Sequence, residues 1–173
     1  MLIMQRVVDS LNELLKKFKY IKAVETGTIR SFDEKHESTK HIAKTLGDRG
    51  DLISIDSSPK AIEVSKKICR KLNNIQWVCS KSTDHLKALK EKFHFALLDS
   101  ANDPDVIWDE FLLVRPMMVE GGIIMIDDAG ISPSGGRDKS NAKKGYKVWD
   151  KVENVLPISV VKAPHGTQLK IQV

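Results

Sequence analysis

Four short apolar runs in this chain each end on a carboxylate. Ile21-Lys22-Ala23-Val24 meets Glu25, Leu52-Ile53-Ser54-Ile55 meets Asp56, Phe95-Ala96-Leu97-Leu98 meets Asp99, and Ile123-Ile124-Met125-Ile126 meets Asp127, with Asp128 adjacent. Runs this short and this apolar suit strands buried on both faces, the signature of a parallel sheet covered by helices. A fifth run, Ile75-Gln76-Trp77-Val78-Cys79, lies between the second and third. Parallel neighbours need crossover connections, and the intervening segments have helical patterning.

An amphipathic helix precedes the first strand, with Val7, Val8, Leu11, Leu14, Leu15 and Phe18 on one face and Lys16, Lys17 and Lys19 near its end. Further helices are expected from Ser38 to Leu46, from Pro59 through Ile62, Ser65, Cys69 and Leu72, from Ser82 to Phe93, and along the face Ile107, Phe111, Val114, Met118. Gly121-Gly122 releases the most apolar strand, which is expected at the sheet centre. A last helix from Tyr146 to Val155 leads to two strands, 158–161 and 169–173, joined across Pro164-His165-Gly166 as an antiparallel hairpin. The expected fold is α/β and Rossmann-like: a doubly wound, mostly parallel seven-stranded sheet with an antiparallel C-terminal hairpin strand.

At 173 residues with 41% hydrophobic and 29% charged composition, the chain reads as a single domain over 1–173, with residues 1–20 as a covering helix and 130–145 as a flexible substrate-side loop. That core needs neither disulfide nor structural metal. Cys69 and Cys79 form no CxxC pair and read as idle thiols of a reducing compartment. The N-terminus lacks the apolar core of a signal peptide and no run is long enough to span a membrane, so the expected location is cytoplasmic. A net charge of +5 is too small to indicate nucleic acid by itself.

In doubly wound sheets, ligands bind beyond the carboxyl ends of the strands. The four terminal acids therefore share one rim. Asp56, between a strand and a helix, stands where an acid binds the hydroxyls of an adenosine ribose. The segment Glu25-Thr26-Gly27-Thr28-Ile29-Arg30 has one glycine where a pyrophosphate-cradling fingerprint has three. That disfavours a dinucleotide and suits a cofactor with adenosine but no phosphate.

In their order these segments resemble class I S-adenosylmethionine-dependent methyltransferases. Within that class the resemblance is to the small-molecule O-methyltransferase branch that includes catechol O-methyltransferase and the cephalosporin-biosynthesis methyltransferases. Val24-Glu25-Thr26-Gly27-Thr28 followed by Ser38-Thr39 is similar to the first motif with an insertion. Leu52 to Asp56 is similar to the second, Cys79-Ser80-Lys81-Ser82 to the adenine-side segment, and Leu97-Leu98-Asp99 and Gly121 to Asp128 to the fourth and fifth strands. The resemblance implies that Glu25, Thr26 and Gly27 line the methionine end of S-adenosyl-L-methionine, that Asp56 and Ser57 meet the ribose, that Ser80, Lys81 and Ser82 approach the adenine, and that Asp99 serves both cofactor and catalysis. It also implies a divalent cation, Mg2+ or Mn2+, at Asp99, Asp127 and Asp128, holding and acidifying a substrate hydroxyl. Asp128 as a loop cap and Asp99 as a metal-free contact are the alternatives.

The branch often carries a Lys or His just after the fourth-strand acid, whereas this chain reads Asp99-Ser100-Ala101-Asn102-Asp103. Acidification by the metal, or a base from elsewhere, with Lys139, Lys143 and His165 as candidates, would replace it. Arg137, Lys139, Lys143 and Lys144 read as solvated loop charges or as contacts to an acidic substrate. His36, His41, His85 and His94 have no metal-like spacing. The expected function is methylation of a small-molecule oxygen; an RNA or protein methyltransferase and a non-catalytic cofactor-binding domain are the competing readings. The expected partner is a small-molecule substrate, with no membrane and no nucleic acid. The N-terminal helix packs either on its own sheet or across a homo-oligomer.

Overall fold

In this computed structural model the described residues are 2–31, 37–129, 144–163 and 166–173. The elements run α1 (Leu2–Lys17), β1 (Ile21–Thr26), α2 (Ser38–Leu46), β2 (Gly50–Asp56), α3 (Pro59–Ile68), β3 (Ile75–Cys79), α4 (Ser82–Ala88), β4 (Phe93–Leu98), α5 (Pro104–Val114), β5 (Met118–Ile126), α6 (Tyr146–Val152), β6 (Ile158–Ala163) and β7 (Gly166–Gln172). The sheet order is β3-β2-β1-β4-β5-β7-β6. β1 to β5 are parallel, while β7 pairs antiparallel with both β5 and β6. The expected Rossmann-like architecture is therefore present, and strand order reverses between β1 and β4.

Several boundaries differ from the sequence reading. β4, flanked by β1 and β5, is the middle strand of the seven, although the Ile123–Ile126 part of β5 is buried on both faces as its composition requires. β5 starts at Met118, placed by periodicity on the preceding helix, and takes in the two glycines. Its register against β4 jumps from Phe93↔Met118 to Phe95↔Ile123, an irregularity absorbed at Gly121, whose φ is +76°. α4 stops at Ala88, because Leu89 is already extended. Pro59 sits in the first turn of α3, where Ser58 Oγ accepts from the Ala61 N–H at 3.2 Å.

Alternation along the strands builds a core on each face. On one, Val24, Ile53, Ile55, Ala96, Leu98, Ile124 and Ile126 meet Leu86 of α4, Ile107 and Phe111 of α5 and Val148 of α6. On the other, Ala23, Leu52, Phe95, Leu97, Ile123 and Met125 meet Val7, Leu11 and Leu14 of α1 and Ile42, Ala43 and Leu46 of α2. α1 thus covers its own sheet, and Glu13 on its outer side pairs with Lys170 of β7 at 2.6 Å. Among the described residues no helix is long and apolar enough to cross a membrane.

Leu11 is fully buried between α2 and the sheet. Leu11→Ala should cost about 3 kcal/mol through lost burial and the cavity left behind. Chemical denaturation checks this, and a loss below about 1 kcal/mol would mean that α1 is not part of the core.

Candidate active site

Three turns meet where the strand order reverses. Gly27 follows β1 with φ +84°, a conformation that L side chains rarely adopt, and its N–H donates to the Ile55 carbonyl at 2.8 Å. A Cβ on Gly27 would lie 2.4 Å from the Asp99 carbonyl oxygen and 3.0 Å from Ser100 Cα. The single glycine of the first motif is thus required by the backbone of the β4 turn. Asp99 N–H donates to the Thr26 carbonyl at 2.9 Å, and Asp127 N–H to that of Leu98 at 3.2 Å, so the β1, β4 and β5 ends form one continuous rim.

Asp56 closes the β2 side. Its Oδ2 accepts from the Thr28 N–H at 3.1 Å and its Oδ1 from the Ser58 N–H at 2.8 Å, leaving lone pairs on each oxygen for a ligand. From Asp56 a cleft of about 360 Å³ runs past Ser57, Lys81, Ser82 and Thr83 to Ser100, Ala101, Val106 and Asp109. Four expected cofactor residues, Asp56, Ser57, Lys81 and Ser82, thus line one cavity of small-molecule size. Ser80 stands beside it, its N–H bonded to the Asp56 carbonyl at 3.0 Å and its hydroxyl to the Lys81 carbonyl. Arg30 bridges the mouth, with Nε 3.8 Å from Asp56 Oδ2 and Nη2 donating to the Ser100 carbonyl at 2.7 Å.

Glu25 and Thr26 lie deeper than the resemblance implies. Glu25 is fully buried and its carboxyl is bonded to the hydroxyls of Ser38, Thr39 (2.8 Å) and Ser54 (3.0 Å). Thr39 continues the network through Thr28 to Ser65. Glu25 therefore clamps α2 and β2 onto the first turn from beneath the cleft. Burial pushes its carboxyl up to about 7, against the lowering effect of the three hydroxyls.

A second buried carboxyl, missed in the sequence, lies under the β4 side. Glu110 of α5 accepts from Thr26 Oγ1 at 2.8 Å and from the hydroxyls of Ser100 and Ser82. Burial raises its carboxyl as well. Its position was the available signal: Ile107, Glu110, Phe111 and Val114 share one helical face, so Glu110 is an acid on an apolar stripe.

At the β5 side the acids gather around a lysine. The Lys144 ammonium pairs with Asp99 Oδ1, and its side chain is 7% exposed against 33% for Asp99. Asp127 Oδ1 accepts from Gln168 Nε2 of β7 at 3.3 Å. Burial pushes the Asp127 carboxyl up to about 6, helped by the charges of Asp99 and Asp128 and opposed by Lys144 and the Gln168 bond. Asp128 turns the chain out of the strand with φ +51°. Among the described residues no group of three or more His, Cys, Asp or Glu is arranged to hold a metal ion. Lys144, read from sequence as a solvated loop charge or a contact to an acidic substrate, is a buried counter-ion of Asp99. His36, Arg137, Lys139, Lys143, His165 and all but the end of the 130–145 loop lie outside the described residues. Cys69 is buried, which pushes its thiol up to about 11 and leaves it inert, while Cys79 is exposed.

The family described as Methyltransferase domain matches residues 36–129, more than half of the chain. No curated protein matches. The fold is similar to that of the O-methyltransferase TomG from Streptomyces achromogenes, solved with SAM, at TM-score 0.68 and 17% identity over 97% of this chain and 80% of that one. An rRNA methylase from Streptococcus thermophilus gives TM-score 0.69 at 11% identity, over 96% and 93% of the two chains. The O-methyltransferase from Bacillus cereus, in complex with SAH, gives 0.68 at 15% identity, over 97% and 80%. The chain belongs to the methyltransferase domain family, and the enzyme class expected from its motifs, an S-adenosylmethionine-dependent methyltransferase, stands.

Two variants test the site's supports. Gly27→Ala should cost about 3 kcal/mol, from the left-handed backbone and the overlap with Asp99, and an unchanged Tm would contradict the close approach. Because the folded-state value of Glu25 lies above its ordinary 4.5, its contribution to stability is complete below about pH 4.5 and is lost as pH rises through about 7. The loss amounts to about 3 kcal/mol. Glu25→Gln removes this dependence, so the Tm of the variant relative to the parent should rise between pH 5 and pH 8. A difference independent of pH would show that Glu25 ionises freely.

Proposed function

We propose that this chain transfers the methyl group of S-adenosyl-L-methionine to an oxygen of a small molecule. The observation that carries the reading is the cleft at the strand reversal, which joins Asp56 to Ser100. The bound cofactor supplies an electrophilic methyl on a cationic sulfur. Asp56 and Ser57 would hold its ribose, Lys81 and Ser82 its adenine side, and Gly27 its approach to the first turn. Glu25 and Glu110 touch no ligand in this reading; they fix the turns that do. Positioning supplies most of the rate in such a transfer, so a rim fixed from below by two buried carboxyls suits the task.

Oxygen as the acceptor follows the resemblance to the O-methyltransferase branch, and Lys144 is compatible with it. An ammonium beside Asp99 stabilises an acceptor that gathers negative charge, whereas an amine gains positive charge on methylation. Asp99, a partly exposed acid of the rim, would meet the acceptor hydroxyl and take up its proton. The divalent cation implied by the resemblance fits poorly, because its first ligand already holds the Lys144 cation. A specific feature favours a second reading, RNA methylation: a groove of about 280 Å³ is edged by Lys40, Lys44, Arg70 and Lys71. RNA that stays bound at roughly 0.15 M salt would support it, since weak phosphate contacts alone are screened there.

Calorimetric titration with S-adenosylhomocysteine tests the main reading. The parent should bind one equivalent, and Asp56→Asn should weaken binding at least about tenfold, the loss expected for one charge-assisted hydrogen-bond site. No heat with the parent, or equal affinity in the variant, would contradict it.

A further inference from the structure

We infer that Lys144 is a built-in cation that takes the place of a divalent metal at Asp99 and Asp127, so that this acidic site works without one. For its catalytic meaning this rests on the methyl-transfer reading; the placement of the lysine does not. Three observations carry it. The Lys144 side chain is 7% exposed and its ammonium contacts Asp99. A buried lysine persists only with a counter-charge, so the pair is a fixed part of the fold.

The backbone then holds the lysine in place. Gly145 N–H donates to the Asp128 carbonyl at 3.1 Å, and a Cβ on Gly145 would lie 2.9 Å from both Ala129 Cα and Ile126 Cγ2. Gly145 is pressed onto the end of β5, and its carbonyl accepts from the Trp149 N–H at 3.2 Å in the first turn of α6. Lys144 therefore leaves the chain one residue before a pinned point and reaches across to β4. It joins the ends of the two strands that a shared metal would bridge.

Finally, one oxygen of each acid is already engaged. Asp99 Oδ1 holds the ammonium and Asp127 Oδ1 the Gln168 amide. A hard divalent cation needs six or more oxygen ligands and would face a positive charge at contact distance. An ammonium also offers three donors, so it can neutralise Asp99 and still orient an acceptor oxygen.

Titration of the full chain with Mn2+, followed by calorimetry and by the Mn2+ paramagnetic signal, tests the assignment. The parent should show no stoichiometric site up to roughly millimolar Mn2+. Lys144→Ala should gain one site at least about tenfold tighter. Adding Asp99→Asn should abolish that gain, and Lys144→Arg should keep the metal out. Lys144→Met, which keeps the apolar stem, serves if the alanine variant does not fold. A parent site lost on Asp99→Asn, or folded Lys144→Ala and Lys144→Met variants that gain no Mn2+, would overturn the assignment. Thermal shift with S-adenosylhomocysteine on the same samples separates the two claims: a missing shift with the Mn2+ pattern intact overturns the cofactor reading and leaves Lys144 in place.

Discussion

Gly27 and the Asp99–Ser100 turn share a space in which no Cβ fits, and the rest of the site depends on that contact. It sets the distance between β1 and β4 where the strand order reverses, and so fixes how closely a ligand approaches the sheet. Two buried carboxyls brace it from opposite faces. Glu25 draws the hydroxyls of α2 and β2 beneath the first turn, and Glu110 ties Thr26 of β1 to Ser100 and Ser82. Both are costly to ionise where they lie, yet each satisfies several hydroxyls that would otherwise be buried unpaired.

The acids at the strand ends divide into distinct roles. Glu25 is fully buried among three hydroxyls, Asp56 is anchored by two backbone N–H groups and lines the cleft, Asp99 is paired with Lys144, and Asp127 is held by Gln168. A common position in sequence, the last residue of an apolar run, therefore does not mean a common function. What separates them is which side of the rim each faces, and that depends on the crossovers between strands.

The fold was readable because strand and helix periodicities are strong and the antiparallel hairpin is announced by its short polar connection. The Asp56, Ser57, Lys81 and Ser82 cleft was readable too, since position after a strand in a doubly wound sheet is nearly a statement of place. Boundaries were less so: the helical spacing of Met118 reflects a chance phase, and the bulge at Gly121 leaves no periodic trace. Glu110 broke an apolar stripe and was detectable in principle. Lys144 was not, because nothing in a Gly- and Lys-rich segment marks which charge folds back onto a strand end; only the pinning of Gly145 against Ala129 does.

The most direct test of the account is a crystal structure of the chain with S-adenosylhomocysteine and Mg2+ both in the crystallisation solution. The nucleoside should lie in the cleft beside Asp56 and Ser82, with the Lys144 ammonium still on Asp99 and no ordered metal there. A nucleoside bound elsewhere, or a metal coordinated by Asp99 and Asp127 with Lys144 displaced, would contradict it.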